Sequence, residues 1–166
     1  MVPVSLEAIV MNGGSQTSLQ VLRCLSSAGV RCAVADDRPG HGLLAPSSRY
    51  CERFLHYRRV DDLVEAAPSA KDAAIICCDD RSVLAVASRR EFLSRYFGIP
   101  FPNYDTLMRA MDKSLAYELC KRTSVPAPMT LVPAGSDEIR RISRQLAYPV
   151  LATGSSGSRG AACSAT

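Results

Sequence analysis

Asn12-Gly13-Gly14 closes the first apolar run of the chain, Leu6 to Met11, and Asp36 closes the second. Glycines after a strand let the backbone approach a phosphate, which the next helix N-terminus stabilises through its free N–H groups. An acid at the end of the following strand is placed to accept from ribose hydroxyls. Gly13 and Gly14 with Asp36 therefore imitate a dinucleotide fingerprint. The G-x-G-x-x-G spacing is incomplete, because Gln16 and Thr17 stand where further glycines belong. A plain tight turn explains the same residues, and both readings stay open at this level.

Other chemistries find less support. G-x-S-x-G, H-E-x-x-H and G-x-x-x-x-G-K-[ST] are absent from the sequence. The acid pairs Asp36-Asp37, Asp61-Asp62 and Asp79-Asp80 fall at strand ends or helix starts, where capping accounts for them. His41 and His56 read as loop and strand residues. The 7 cysteines include no C-x-x-C and have only 2 histidines to join them, so no metal site is expected and reduced core filler is the reading. Net charge is +4, with 17 Arg and 3 Lys spread along the chain rather than gathered on one face. With aromatics at 6%, that pattern argues against a nucleic-acid partner.

These residues need elements to hold them. Leu6–Met11, Val30–Ala35, Arg53–Tyr57 and Asp72–Cys78 read as strands, with the apolar fourth expected at the centre of the sheet. Between them, Val21, Leu22, Leu25 and Ala28 line one helix face, with Gly29 at its C-terminus. Val60–Ala67 reads as a short helix, and Asp79 or Asp80 is expected to cap a long one running to Tyr96. The rhythm predicts an α/β fold, a doubly wound, mostly parallel, Rossmann-like sheet over residues 1–97.

After the stiff connector Gly98–Pro102, residues 98–153 read as two helices (Tyr104–Met111 and Asp112–Arg122) and a strand at Met129–Val132. A helix capped by Ser136, with Ile139, Ile142 and Leu146 inward, and a strand from Tyr148 to Ala152 follow. Residues 154–166 read as a flexible Gly/Ser/Ala-rich tail.

MRAMDKSLAYELCKRTSVPAPMT resembles the opening of the nucleotide-binding module of ATP-grasp enzymes. The motif is Asp112-Lys113 at a helix start, then Val125-Pro126-Ala127-Pro128, then the strand Met129-Thr130-Leu131-Val132. YPVLATGSSGSRG resembles the strand and Gly/Ser-rich phosphate loop that come next. SLQVLRCLSSAGV, ADDRPGH and SRYCERF resemble the preceding domain of the carboxylate–amine ligases of that family, the carbamoyl-phosphate-synthase-like type.

The resemblance implies an enzyme that uses ATP and Mg²⁺ to make an acyl phosphate from a small-molecule carboxylate, which an amine then attacks. It implies an incomplete α+β ATP-grasp subdomain after the pre-ATP-grasp sheet. Lys113 matches the first ATP lysine, a compact charge for a phosphate. Ser155, Ser156, Gly157 and Ser158 match the phosphate loop, and Gly13, Gly14, Asp36, Asp37 and Arg49 are candidates for substrate contact. Thr153 stands at the second lysine and cannot supply its charge. The metal-binding acids of the family belong to a stretch after Thr166, so the resemblance implies the N-terminal part of such a ligase, truncated and inactive by itself. The alternative is a stand-alone small-ligand or nucleotide-binding module without catalysis. No apolar run approaches the ~20 residues of a membrane span, and no basic leader precedes Glu7, so a cytoplasmic protein is expected.

Overall fold

A computed structural model describes residues 5–147, 149–154 and 161–165. The chain divides into two compact units, residues 1–104 and 105–166.

In the first unit, β1 (Ala8–Met11) leads through the Gly13-Gly14 turn into α1 (Gln16–Ser27). Ser15 caps α1, its Oγ accepting the Ser18 N–H at 3.0 Å, while the Ser18 Oγ donates to the Asn12 carbonyl at 2.6 Å. The first bond satisfies a helix N–H that would otherwise lack a partner, and the second ties the helix start to the turn before it. Ala28 closes the helix and Gly29 follows at φ +84°, the left-handed position glycine takes without strain.

After β2 (Cys32–Asp36) and β3 (Arg53–His56), a 3₁₀ turn at Val60–Asp62 runs into α2 (Leu63–Ala66). Then come β4 (Ala74–Ile76), α3 (Asp80–Ser88) and α4 (Arg90–Leu93). All pairings in this sheet are parallel and the order is β3-β2-β1-β4. Its two faces are covered separately. Ile9, Met11, Ala33, Ala35, Leu55 and Ile75 pack with Leu63, Val86 and Leu93 from α2 to α4. Ala8, Cys32 and Val34 pack with Leu22 of α1. This is the doubly wound α/β architecture the alternation implies.

Four details differ from the sequence reading. β4 sits at the side of the sheet and β1 and β2 at its centre. Apolarity reports covered faces, and Ile75 is fully buried, but it carries no information on lateral order. Gly98 bonds the outer edge of β4, accepting from the Ile75 N–H at 2.8 Å and donating to the Ala73 carbonyl at 2.9 Å. The long helix to Tyr96 is broken at Arg89, whose φ of −115° leaves the helical region, into α3 and α4. Finally, the connector packs on the first core through Phe97, Ile99 and Phe101, so the unit extends to Tyr104.

The second unit holds α5 (Tyr104–Met111), α6 (Lys113–Arg122), β5 (Thr130–Leu131), α7 (Ser136–Ser143), β6 (Val150–Gly154) and β7 (Ala161–Ala165). Its antiparallel sheet has the order β5-β7-β6. β7 lies in the stretch read as a tail, where small residues give no hydrophobic signal and backbone pairing with β6 supplies the order. Gly135, not Ser136, is the N-cap of α7, and Ile139 is 45% exposed rather than inward. None of α5, α6 and α7 contains a fully buried residue.

Of the cysteines, Cys32 is buried, Cys24 is exposed, and Cys51, Cys77, Cys78 and Cys120 are intermediate, these six all free thiols. No described helix is long and apolar enough to cross a membrane.

Candidate functional site

A cleft of about 250 Å³ opens where the four parallel strands end. Each strand contributes: Asn12 after β1, Asp36 to Arg38 at β2, Tyr57 to Val60 after β3, and Asp79 with Arg81 and Ser82 after β4. In an open α/β sheet this edge, at the point where the strand order reverses, is where ligands bind. Here the reversal falls between β1 and β4.

The floor is a fixed charge network. Asp36 has a side chain only 2% exposed, and Arg38 supplies most of its partners. The Arg38 N–H and Nε both donate to Asp36 Oδ1 at 2.9 Å, and Nη2 donates to Oδ2 at 2.9 Å. Nη2 also reaches Asn12 Oδ1 at 2.9 Å. Burial alone would raise the Asp36 carboxyl, but the Arg38 hydrogen bonds and charge, with the Gly14 N–H, hold it below its ordinary value. The two glycines make this possible. A Cβ on Gly14 would stand 2.7 Å from Arg38 Nη2, and one on Gly13 would stand 2.8 Å from Val34 Cγ1 and 3.1 Å from Pro46 Cδ. Gly13 also accepts from the Ala45 N–H at 2.8 Å, so the turn is packed on both sides.

Above the floor, Asp37 pairs with Arg81, whose side chain is 76% exposed. Tyr57 lines the same wall. Burial, then the negative charges of Asp37 and Asp36, push its phenol up to about 12, so it stays a neutral hydroxyl at physiological pH. Arg58 is exposed and takes part in none of the ion pairs among the described residues. Asp79 caps α3, accepting from the Ser82 N–H at 3.0 Å and from the Ser82 hydroxyl. Asp62 accepts the Arg58 and Arg59 N–H groups, and Asp61 pairs with Arg59 and Arg89. The acid pairs thus act in caps and ion pairs. His41 is an exposed loop residue, and His56 Nε2 lies 3.3 Å from the Asp37 carbonyl.

Gly13, Gly14, Asp36 and Asp37 come together at this edge. Arg49 does not line the cleft; it belongs to another depression. Lys113 is exposed at the start of α6 in the second unit, where Asp112 accepts from the Ser114 and Leu115 N–H groups at 2.9 and 3.1 Å. Those N–H groups are therefore not open to a phosphate, and only the ammonium is. Ser155, Ser156, Gly157 and Ser158 lie outside the described residues. Sequence reasoning missed Arg38, Tyr57, Arg58 and Arg81. Arg81 carried a signal: a cation in the first turn of a helix opposes the dipole and asks for another reason to be there.

The residues fit ATP and Mg²⁺ incompletely. Lys113 offers one phosphate contact, and among the described residues no group of three His, Cys, Asp or Glu side chains converges to hold a metal ion.

No protein-family model matches the chain. D-aspartate ligase of Enterococcus faecium (strain Aus0004) is 30% identical over 63 residues, which is 38% of this chain and 15% of that protein. N5-carboxyaminoimidazole synthetase from Staphylococcus aureus, solved with ADP, superposes with TM-score 0.62 at 14% identity, over 97% of this chain and 47% of that one. The biotin carboxylase domain of Hydrogenobacter thermophilus 2-oxoglutarate carboxylase, solved with MgADP and bicarbonate, gives TM-score 0.60 at 16% identity, over 93% and 36%. The chain spans less than half the length of these structures. The likeness shows a fold shared with part of each of these two structures.

Proposed function

We propose that the chain forms the N-terminal part of an ATP-dependent carboxylate–amine ligase that works through an acyl phosphate, in the cytoplasm. The observation that carries this reading is the charged cleft at the strand ends of a fold shared with ADP-bound ligases over 97% of the chain. In it, Arg58 and Arg81 grip a carboxylate of the substrate, Tyr57 donates a hydrogen bond as a neutral phenol, and Asp37 accepts from the substrate's polar hydrogens. Asn12, Gly14, Asp36 and Arg38 hold that wall in place. Lys113 contacts an ATP phosphate.

Phosphoryl transfer depends on positioning and charge neutralisation. With Thr153 at the place of the second lysine and no metal-holding cluster among the described residues, residues 1–166 alone are expected to show no turnover above background.

The stand-alone module that would read a nucleotide with Gly13, Gly14 and Asp36 is disfavoured by the geometry. Both Asp36 oxygens are engaged by Arg38, and its guanidinium lies over Gly14 where a pyrophosphate would need to come.

The test is ATP binding followed by saturation-transfer NMR, with phosphate release measured beside it over a panel of amino acids. Weak ATP contact that disappears in Lys113→Ala, with release at background, supports the reading. ATP contact unchanged in that variant would sink the assignment of Lys113.

A further inference from the structure

A second depression lies on the first unit and shares no lining residue with the strand-end cleft. It is open, about 700 Å³, and lined by Arg23 and Ser27 of α1 with Ser47, Ser48, Arg49 and Tyr50 of the loop before β3. Every lining side chain carries an N–H or O–H donor, and none is a carboxylate. The charge is unmatched: Arg31, Arg38, Arg59, Arg81 and Arg89 of this unit pair with acids, but no ion pair among the described residues uses Arg23 or Arg49.

The depression is also braced before any ligand arrives. Arg49 Nη2 donates to the Tyr50 hydroxyl at 2.9 Å, and its Cζ stands 4.9 Å from the Tyr50 ring centroid. Tyr50 packs against the core beneath α1, and its carbonyl accepts from the Ser26 hydroxyl at 3.3 Å. The guanidinium is thus stacked and held, at less entropic cost on binding than a free arginine pays.

We propose that this depression binds a small-molecule phosphate monoester, with Arg23 and Arg49 gripping the phosphoryl group and the Ser27 and Ser48 hydroxyls completing its hydrogen bonds. Two guanidinium forks match a tetrahedral group bearing roughly −1.5 to −2 charge. A carboxylate would occupy one fork and leave the other unmatched. The volume falls in the range of roughly 300–1,000 Å³ typical of small-molecule pockets, which leaves space for the group bearing the phosphate. This inference stands apart from the ligase reading, since neither Lys113 nor the strand-end cleft enters it.

The test is a titration of isotope-labelled protein with glycerol 3-phosphate, inorganic phosphate, acetate and chloride at constant ionic strength, followed by amide shifts. Saturable shifts at Arg23, Ser27, Ser48 and Arg49 are expected with glycerol 3-phosphate and not with acetate or chloride. Arg23→Ala and Arg49→Ala should each weaken binding on the order of tenfold, the lower end for a lost hydrogen bond to a charged group. Arg49→Lys should weaken it too, because an ammonium lacks the planar fork. Arg95→Ala, elsewhere on the unit, should leave affinity unchanged, and matching thermal melts would show that every variant folds. Equal response to acetate, response to inorganic phosphate alone, or affinity untouched by Arg49→Ala would mean an adventitious ion only and would overturn the proposal.

Discussion

Replacing Arg38 by alanine should unmask the cost of the Asp36 carboxylate. The substitution removes both side-chain hydrogen bonds to Asp36, from Nε and Nη2, together with the one from Nη2 to Asn12, and leaves those from the Arg38 and Gly14 N–H groups. A buried hydrogen bond to a charged group contributes about 1.5–3 kcal/mol. The Arg38 side chain is 52% exposed, so water replaces part of what is lost and screens the charge. Roughly 2 kcal/mol remains for the pair of bonds, which for a unit of this size lowers the melting temperature by about 8 °C.

The sign with pH follows from the depressed carboxyl. Asp36 in the folded protein titrates below its unfolded value, so its stabilisation is present above that value and lost as pH falls through the folded one. In Arg38→Ala, burial dominates and the carboxyl moves up, so the variant is penalised while Asp36 is ionised and relieved when it is protonated. Thermal melts by circular dichroism should therefore show the full gap between wild type and variant at neutral pH. The gap should close well below the usual carboxylate range. A gap of the same size at both ends would refute the reasoning, because Arg38 would then act through packing and not through the Asp36 charge.

Gly13→Ala should destabilise the unit by about 1–3 kcal/mol in urea denaturation, since its Cβ overlaps Val34 of the central sheet. Asp79→Ala should cost about 1 kcal/mol by loss of the α3 cap, measurable in the same way, whereas Asp79→Ser should restore most of it. Tyr57 titrates near 12 in the folded protein and near 10 unfolded, so the folded state loses stability as pH rises beyond the unfolded value. Tyr57→Phe should flatten that alkaline loss, about 3 kcal/mol for a two-unit shift and less to the extent that solvent screens the half-buried phenol. An unchanged alkaline limb would place the titration elsewhere.

The first unit was legible where one face of one element had to be buried. Leu22 and Leu25 on α1, with Ser15 before it and Gly29 after it, mark that helix at both ends. The parallel strands announced themselves as apolar runs because helices cover both faces. Lateral order was not legible, since the place of β4 depends on which edge the chain returns to, and Ile75 is equally buried in either case. β7 was invisible for another reason. Its sequence of Ala, Cys and Ser carries no hydrophobic alternation, and its order comes from backbone pairing with the neighbouring β6 and the more distant β5. The break at Arg89 is a third kind of loss, a backbone departure with no proline or glycine to announce it.

The candidate site divides along the same line. Gly13, Gly14 and Asp36 stand out in the sequence by their likeness to an anion loop, and the fold gathers them at one edge, yet the contacts run inward. Gly13 meets Val34 and Pro46, Gly14 lies beneath a guanidinium, and Asp36 neutralises that guanidinium from below. Free N–H groups and an open acid are what a nucleotide turn needs, and here Ser15 and Arg38 have taken them. In the two sites proposed above, anion recognition on this unit falls instead to arginines held by neighbours: Arg81 by Asp37 at the strand ends, and Arg49 by Tyr50 beside α1. A guanidinium keeps its charge at every physiological pH and presents a planar fork, so it can grip a carboxylate or phosphate where a glycine turn would need its own N–H groups unsatisfied. The imitation of a dinucleotide fingerprint thus extends to where the residues sit and stops at which of their atoms are free to face a ligand, a distinction that spacing in a sequence does not encode.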